Sequence, residues 1–275
     1  MIDFLRIMII LLYSATVFAG EIHTIKFTPL PMKNEMKTIE DFLPLTNYLK
    51  TEHGLNIAYN YKSDYKDIIE GFKNKEIDIA YLGPLPFTKL KSQYPHVKPI
   101  IAFRQENGKV YYRCVISKFV DDMEPKDRPL KVALTQPLST CGYYMTEKLF
   151  KKHYGKELKQ QQYNYTMSHT NSLIETLEGN YDIAGASEEI AEKFTSLGMQ
   201  ILARSPVLPG FSLVVNTKTL SIKEIEAIKE AILDVPEKEY EKWGSKLMYG
   251  FESVEPTLYD SIKIHQAIPD VGNMK

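Results

Sequence analysis

Two stretches of this chain carry the same run of residues, and that echo constrains the fold more than any other feature. Residues 67–83 read Asp-Ile-Ile-Glu-Gly-Phe-Lys-Asn-Lys-Glu-Ile-Asp-Ile-Ala-Tyr-Leu-Gly, and residues 172–185 read Ser-Leu-Ile-Glu-Thr-Leu-Glu-Gly-Asn-Tyr-Asp-Ile-Ala-Gly. In each, a helical pattern of apolar residues meets a tight turn and then a short apolar run opened by Asp. That is a helix returning into a buried strand, twice. Alternating strands and helices predict parallel pairing, with helices covering the sheet faces. A duplicated unit in 275 residues predicts two modest lobes, since one lobe alone needs fewer residues.

The remaining elements follow the same alternation. Ile22 to Phe27, Leu55 to Tyr61 and Ile77 to Leu82 are expected strands of the first half. Between them lie a helix over Ile39 to Lys50, which Pro44 kinks or starts, and a helix over Lys66 to Lys73 capped by Ser63-Asp64-Tyr65. A helical turn follows at Phe87 to Ser92. Strands at Ile100–Phe103 and Val110–Ser117 are joined across Glu106-Asn107-Gly108, and Asn-Gly is a hairpin signal. The second half repeats the plan. Strands are expected at 130–134, Gln161–Tyr165, Tyr181–Ala186, Met199–Ala203 and Phe211–Val215. Helices are expected after Gly142, from Ser168 to Leu177, from Glu188 to Leu197, from Ile222 to Leu233 behind Ser221, and over Tyr240–Met248 and Pro256–Ile264.

In open α/β sheets, ligands sit beyond the carboxyl ends of the strands. Tyr81, the turn Ser139-Thr140-Cys141-Gly142, His169 and Glu188 all fall at such ends. The turn after Val132-Ala133-Leu134 carries two adjacent hydroxyls at a helix start. Its first amides lack intrahelical partners, and the helix dipole favours negative charge there. Ser and Thr are also ordinary helix caps, so the turn reads either as a cap or as an anion cradle. His169 is either a surface residue at a helix start or an imidazole donor to an anion. Tyr65 and Tyr81 are packing residues or phenol donors at a cleft mouth. Glu188 and Glu189 suit a helix start by charge alone, and one of them is a candidate to face a ligand.

Other chemistries lack their signatures. There is no Walker loop, no G-x-G-x-x-G, no H-E-x-x-H, no G-x-S-x-G and no Cys-x-x-Cys, and the six histidines show no metal-ligand spacing. No cofactor or metal is expected. Ser139, His169 and Asp182 assemble into a hydrolytic triad only on paper, because Asp182 belongs at the strand start, away from the cleft. No enzyme activity is expected. The formal net charge of −1 has both signs mixed throughout, which argues against a nucleic-acid partner. Eighteen tyrosines against one tryptophan suit a partly polar pocket, or reflect the bias of the source.

Arg6, the apolar run Ile7–Leu12 and the small-x-small sequence ending at Ala19 predict a cleavable signal peptide over residues 1–19. The apolar run is too short to span a bilayer. Export to an oxidising compartment allows Cys114 and Cys141 to pair. Two independent thiols are the expectation, because Cys141 sits on a tight turn.

Taken together, the chain resembles the PhnD-like family of phosphate, phosphite and phosphonate-binding periplasmic proteins of ABC importers. The resemblance covers nearly the whole mature chain. It is carried by Ser63-Asp64-Tyr65, Asp78 to Pro84, Ser139-Thr140-Cys141-Gly142-Tyr143, Ser168-His169-Thr170-Asn171, Asp182-Ile183-Ala184 with Glu188, and Val207-Leu208-Pro209-Gly210. It implies a type II-like fold of two α/β lobes, each a mostly parallel sheet flanked by helices, joined by two crossover strands near Tyr112-Arg113 and Phe211–Leu213. The matching division is 20–112 for the first part of lobe one, 113–213 for lobe two, and 214–275 for the return to lobe one.

The resemblance also implies roles. Ser139, Thr140 and Cys141 match the family's oxyanion-gripping turn, His169 its pocket histidine, and Tyr81 and Tyr65 its cleft aromatics. Cys141 stands where the family carries Ser, so a weak thiol donor leaves more of the grip to its backbone N–H. Phe211 stands where members that take aminoalkylphosphonates are expected to carry a carboxylate, which leaves Glu188 alone for an amine. The implied function is capture of phosphate, phosphite or a short alkylphosphonate in the periplasm, as a monomer, for an inner-membrane ABC permease. The alternative is a sensor of such an oxyanion, or of thiophilic arsenite, signalling to a membrane histidine kinase.

Overall fold

The structure is a computed structural model and describes residues 23–31, 35–121, 125, 127–244, 246–254, 256–263, 268–269 and 272–274. The expected signal peptide lies outside the described residues.

The chain begins with β1 (Ile25–Pro29), α1 (Glu35–Glu40), α2 (Leu43–His53), β2 (Ile57–Tyr59), α3 (Tyr65–Lys73), β3 (Ile79–Leu82), α4 (Pro84–Gln93) and β4 (Val97–Phe103). Pro44 sits in the first turn of α2, where its missing N–H costs no hydrogen bond, so the helix starts there. The chain then passes through β5 (Tyr111–Tyr112) into β6 (Cys114–Phe119) and β7 (Lys131–Leu134). A π-helical turn (Thr140–Tyr144) leads into α5 (Met145–Tyr154), followed by β8 (Gln162–Tyr165), α6 (His169–Leu177), β9 (Ile183–Ser187), α7 (Glu188–Lys193) and β10 (Met199–Arg204). The return runs through β11 (Leu208–Pro209) to β12 (Ser212–Asn216), α8 (Ile222–Leu233), α9 (Glu237–Tyr240) and β13 (Phe251–Ser253).

Two sheets result, ordered β13-β4-β12-β3-β1-β2 and β10-β6-β9-β7-β8. The internal echo is visible in their pairing. β1 lies between β2 and β3, both parallel to it, and β7 lies likewise between β8 and β9. The repeated Asp has the same task in both units. Asp78 Oδ2 accepts from Lys26 N at 2.8 Å, and Asp182 Oδ2 accepts from Lys131 N at 2.7 Å. Each carboxylate fastens its strand to the amino end of the central strand, opposite the ligand side. The Asp-Ile-Ala run is therefore a folding device.

The strands that return or enter from the other lobe run against this parallel core. β12 pairs antiparallel with β3 and β4, and β6 pairs antiparallel with β9 and β10. Both sheets are thus mixed, with a larger antiparallel share than alternation alone predicts. The two passages between sheets meet as a two-stranded ribbon, β5 with β11. Their approach is close: Gly210 N donates to Val110 O at 2.7 Å, and a Cβ on Gly210 would stand 2.8 Å from that oxygen. Ser212 and Leu213 already pair within the first sheet. The Asn-Gly turn does form, with Gly108 at φ 72. It does not close a hairpin, because β4 and β6 belong to different sheets.

Each sheet buries its own core. Phe27, Phe72, Ile101 and Val214 are fully enclosed in the first. In the second, Cys114 and Ile116 face one layer while Val115 faces the other, as the two-residue period of a strand requires. Leu85 of α4 is an exception, packing into the core of the second sheet and sealing one lobe against the other. The C-terminal helices expected over 240–248 and 256–264 are short: α9 ends at Tyr240, and only a 3-10 segment spans Pro256–Ser261.

Candidate functional site

The carboxyl ends of β1, β3, β7 and β9 point at one interlobe cleft. Its inner chamber, of about 50 Å³, is walled by Tyr65, Gly83, Pro86 and Phe211 from the first lobe, and by Gln136, Leu138, Ser139, Thr140, Cys141 and His169 from the second. Tyr112, from the ribbon between lobes, completes it.

The Ser139–Gly142 turn faces the inner chamber. Ser139 is extended, with ψ 135, and its hydroxyl makes no cap hydrogen bond. The amides of Thr140 and Cys141 are the first of the turn and precede any intrahelical acceptor. The turn is tied down from several sides. Ser139 N donates to Gln136 O at 3.1 Å, Gly142 N donates to Ser139 O at 2.9 Å, and Thr146 Oγ1 donates to Cys141 O at 3.0 Å. Thr140 Oγ1 accepts from Leu85 N across the cleft at 3.2 Å and also hydrogen-bonds the Tyr112 side chain. Burial pushes the Tyr112 phenol well above its usual value, and the Thr140 contact opposes this in part. Tyr112 therefore remains an O–H donor.

Cys141 is not a thiol. It forms a disulfide with Cys114, with Cα atoms 5.1 Å apart. The expectation of two independent thiols is overturned. The tight turn does not hold Cys141 away from a partner; it folds back over the sheet and meets the first residue of β6. No S–H remains to donate, and no thiol to bind a thiophilic ligand. Cys141 contributes its backbone N–H and the enclosed sulfur wall.

His169 opens α6 behind its N-cap Ser168, whose Oγ accepts from Asn171 N. Ser187 N donates to His169 Nδ1 at 2.9 Å. The ring proton is therefore on Nε2. Burial, aided by the nearby Lys246 cation, lowers the His169 pKa to about 4. The imidazole is a neutral single donor, through Nε2 alone. An acid partner on Nδ1 is excluded by the same amide. Asp182 is engaged far away, with the Arg128 guanidinium at 2.7 and 2.8 Å.

Tyr65 is the first residue of α3, capped by Asp64, which accepts from Lys66 N at 2.6 Å. Burial and the Asp64 charge push its phenol far up, so it too keeps its proton. Tyr81 lies deeper, 4% exposed. It stacks on Phe211 with centroids 4.9 Å apart and planes 6° from parallel, and borders an outer chamber instead of the inner one. Glu188 also lies outside the inner chamber. It pairs with Arg204 and, at 3.9 Å, with Arg113, beside the groove at the ribbon. Tyr112, Gln136 and Lys246 were not singled out from sequence, although the Tyr111-Tyr112-Arg113 run marked the passage between lobes.

Residues 27–261 match the model of a family described as "ABC transporter, phosphonate, periplasmic substrate-binding protein". The chain belongs to this family. These phosphonate-binding proteins are transport proteins that work outside the cytoplasm with an ABC permease. A curated relative, the phosphate-import protein PhnD of Mycolicibacterium smegmatis, is 24% identical over 191 residues, which is 65% of this chain and 60% of the relative. The solved structure of PhnD1 from Prochlorococcus marinus in complex with methylphosphonate aligns with a TM-score of 0.67 at 16% identity, covering 86% of this chain and 95% of that one. A binding protein component of an ABC phosphonate transporter from Pseudomonas aeruginosa aligns with a TM-score of 0.67 at 17% identity, covering 86% and 83%. The phosphonate-binding family's two-lobed fold is thus the fold of this chain. Among the described residues, no helix is long and apolar enough to cross a membrane.

Proposed function

We propose that this protein captures a small phosphorus oxyanion in the interlobe cleft and delivers it to an ABC importer. The observation that carries the reading is the inner chamber, where the Ser139–Cys141 turn faces three neutral donors, His169, Tyr65 and Tyr112. The ligand oxygens would accept from Ser139 Oγ, from the amides of Thr140 and Cys141, and from His169 Nε2. Such donors recognise an anion through hydrogen bonds aimed at charge in a low-dielectric site. Phosphate, phosphite and a short alkylphosphonate all fit this donor set. The descriptions of two relatives name phosphate import and an ABC phosphonate transporter, and a third is bound to methylphosphonate, which favours an importer over a sensor coupled to a histidine kinase.

In this reading residues 1–19 are a cleavable signal peptide and the mature protein is a periplasmic monomer. One lobe is built on the sheet of β1 to β4, β12 and β13 and the other on the sheet of β6 to β10, so the return to the first lobe falls before Ser212 instead of after residue 213. The site has no catalytic role. Calorimetry with phosphate, phosphite and methylphosphonate, on the wild type and on His169→Ala, tests the proposal. Binding of at least one oxyanion is expected, weakened about tenfold or more by the substitution. Absence of binding by all three sinks it.

A further inference from the structure

The outer chamber is about 270 Å³ in volume and shares Tyr112, His169 and Phe211 with the inner one of about 50 Å³. A space of the smaller size holds roughly four water-sized groups. A tetrahedral oxyanion carries four groups around its phosphorus and fills it. A longer substituent has to continue into the outer chamber, and Phe211 stands where it would pass.

Phe211 lies between a residue of one chamber and a residue of the other. Of the two chambers, Gly83 lines only the inner one. A Cβ on Gly83 would stand 3.2 Å from Phe211 Cε1, so the edge of the ring rests on the Gly83 backbone. Tyr81 lines only the outer one, and its ring lies flat on Phe211, with planes 6° from parallel. Tyr81 is itself fixed by Phe42 and Phe103, each with its ring centre 4.8 Å away. The backbone around Phe211 is held as well. Phe103 N donates to Phe211 O at 3.1 Å, and the Tyr259 hydroxyl donates to Gly210 O at 3.2 Å. A ring held at its face, its edge and its backbone does not swing aside for a substituent. Displacing it would break an aromatic stack and overpack the neighbouring core.

We propose that Phe211 is the specificity-determining residue of the cleft, a fixed aromatic partition that limits the ligand to a tetrahedral oxyanion with at most one methyl substituent. Phosphate, phosphite and methylphosphonate lie within that limit, and phosphonates with longer chains lie beyond it. This rests on the oxyanion reading above.

Calorimetry with methylphosphonate and n-propylphosphonate, on the wild type, Phe211→Leu and Phe211→Ala, tests the inference. The two ligands share a head group and carry uncharged substituents, so they differ in length alone. The wild type is expected to bind methylphosphonate about tenfold tighter or more, the scale of a chain forced against a packed wall. Phe211→Ala is expected to bring that ratio to one or below through a gain in propylphosphonate affinity, about fourfold for each methylene that enters the outer chamber. Phe211→Leu, a smaller apolar wall, should fall between. If Phe211→Ala does not fold, the ratio in Phe211→Leu decides. Equal binding of both ligands by the wild type overturns the inference, as does an unchanged ratio in the variants. Loss of both ligands in the folded variants overturns it too, because Phe211 would then support the grip instead of bounding it. A wild type that binds phosphate or phosphite but neither phosphonate places the limit below one methyl, and the inference alone fails. With no oxyanion bound at all, the oxyanion reading fails with it.

Discussion

His169 shows how one backbone contact decides a residue's chemistry. The Ser187 amide fixes Nδ1 as an acceptor, and burial keeps the ring neutral. At pH 7 its Nδ1 should give the ¹⁵N shift of an unprotonated ring nitrogen and its Nε2 that of a protonated one; the opposite tautomer would contradict the site geometry. The stability consequence has a definite sign. The folded pKa, about 4, lies below the ordinary 6.5, so the unfolded chain takes up the proton first. The contribution is complete above pH 6.5 and is lost as pH falls towards 4, on the order of 2 kcal/mol after allowance for partial exposure. His169→Gln should flatten that limb of the stability curve, and an unchanged slope would place the burial elsewhere. At this scale sequence reading went furthest for Ser139, Thr140, Tyr65 and His169, because each lies at the junction of a local strand and helix signal. Lys246 gave no such signal. It belongs to the turns that follow α9, where the helix expected over 240–248 stops at Tyr240.

In the proposed reading the ligand is held by the turn between β7 and α5, and Gly142 is its tightest point. A Cβ there would stand 2.3 Å from Gln136 O, a backbone atom that cannot swing away. Gly142→Ala should therefore shift the Thr140 and Cys141 amides and weaken oxyanion binding by about a hundredfold. Circular dichroism should still show a folded chain, because the sheet cores lie beneath the turn. Wild-type affinity in that variant would show that the amides do not hold the ligand. The Asp-Ile-Ala strands were readable from the sequence because strand, turn and helix lie within one short window. The hairpin expected at Asn107-Gly108 was not, because a turn signal specifies the reversal but not which sheet each flanking strand joins. The Cys114–Cys141 bridge was equally hidden: it depends on where a 27-residue excursion returns, which only the packed sheet determines.

For the whole molecule, the ribbon of β5 and β11 is the narrow connection between two separately packed cores, and Leu85 N to Thr140 Oγ1 is a bond across the cleft. Lobes joined this way move as hinged bodies when a ligand bridges them. A ligand held only by the folded cleft at about 100 times its Kd adds about 2.7 kcal/mol of stability, which for a chain of this size raises Tm by roughly 5–10 °C. Scanning calorimetry with increasing phosphonate checks this, and a Tm indifferent to ligand concentration would speak against cleft binding. The two-lobed plan was legible because its unit is written twice. The antiparallel placing of β6 and β12 was not, since each enters its sheet from the other lobe through the ribbon.

The buried bridge between Cys114 and Cys141 also has a practical side. A sample purified from a reducing cytosol and a sample secreted through an oxidising compartment are two different reagents, although their sequences agree. In the first, the turn at Ser139–Gly142 has lost its covalent tie to β6, and a typical bridge of this kind is worth about 3 kcal/mol. The manufacturing route, then, is part of the assay: a titration that finds no ligand says something about the cleft only after the sulfurs have been counted.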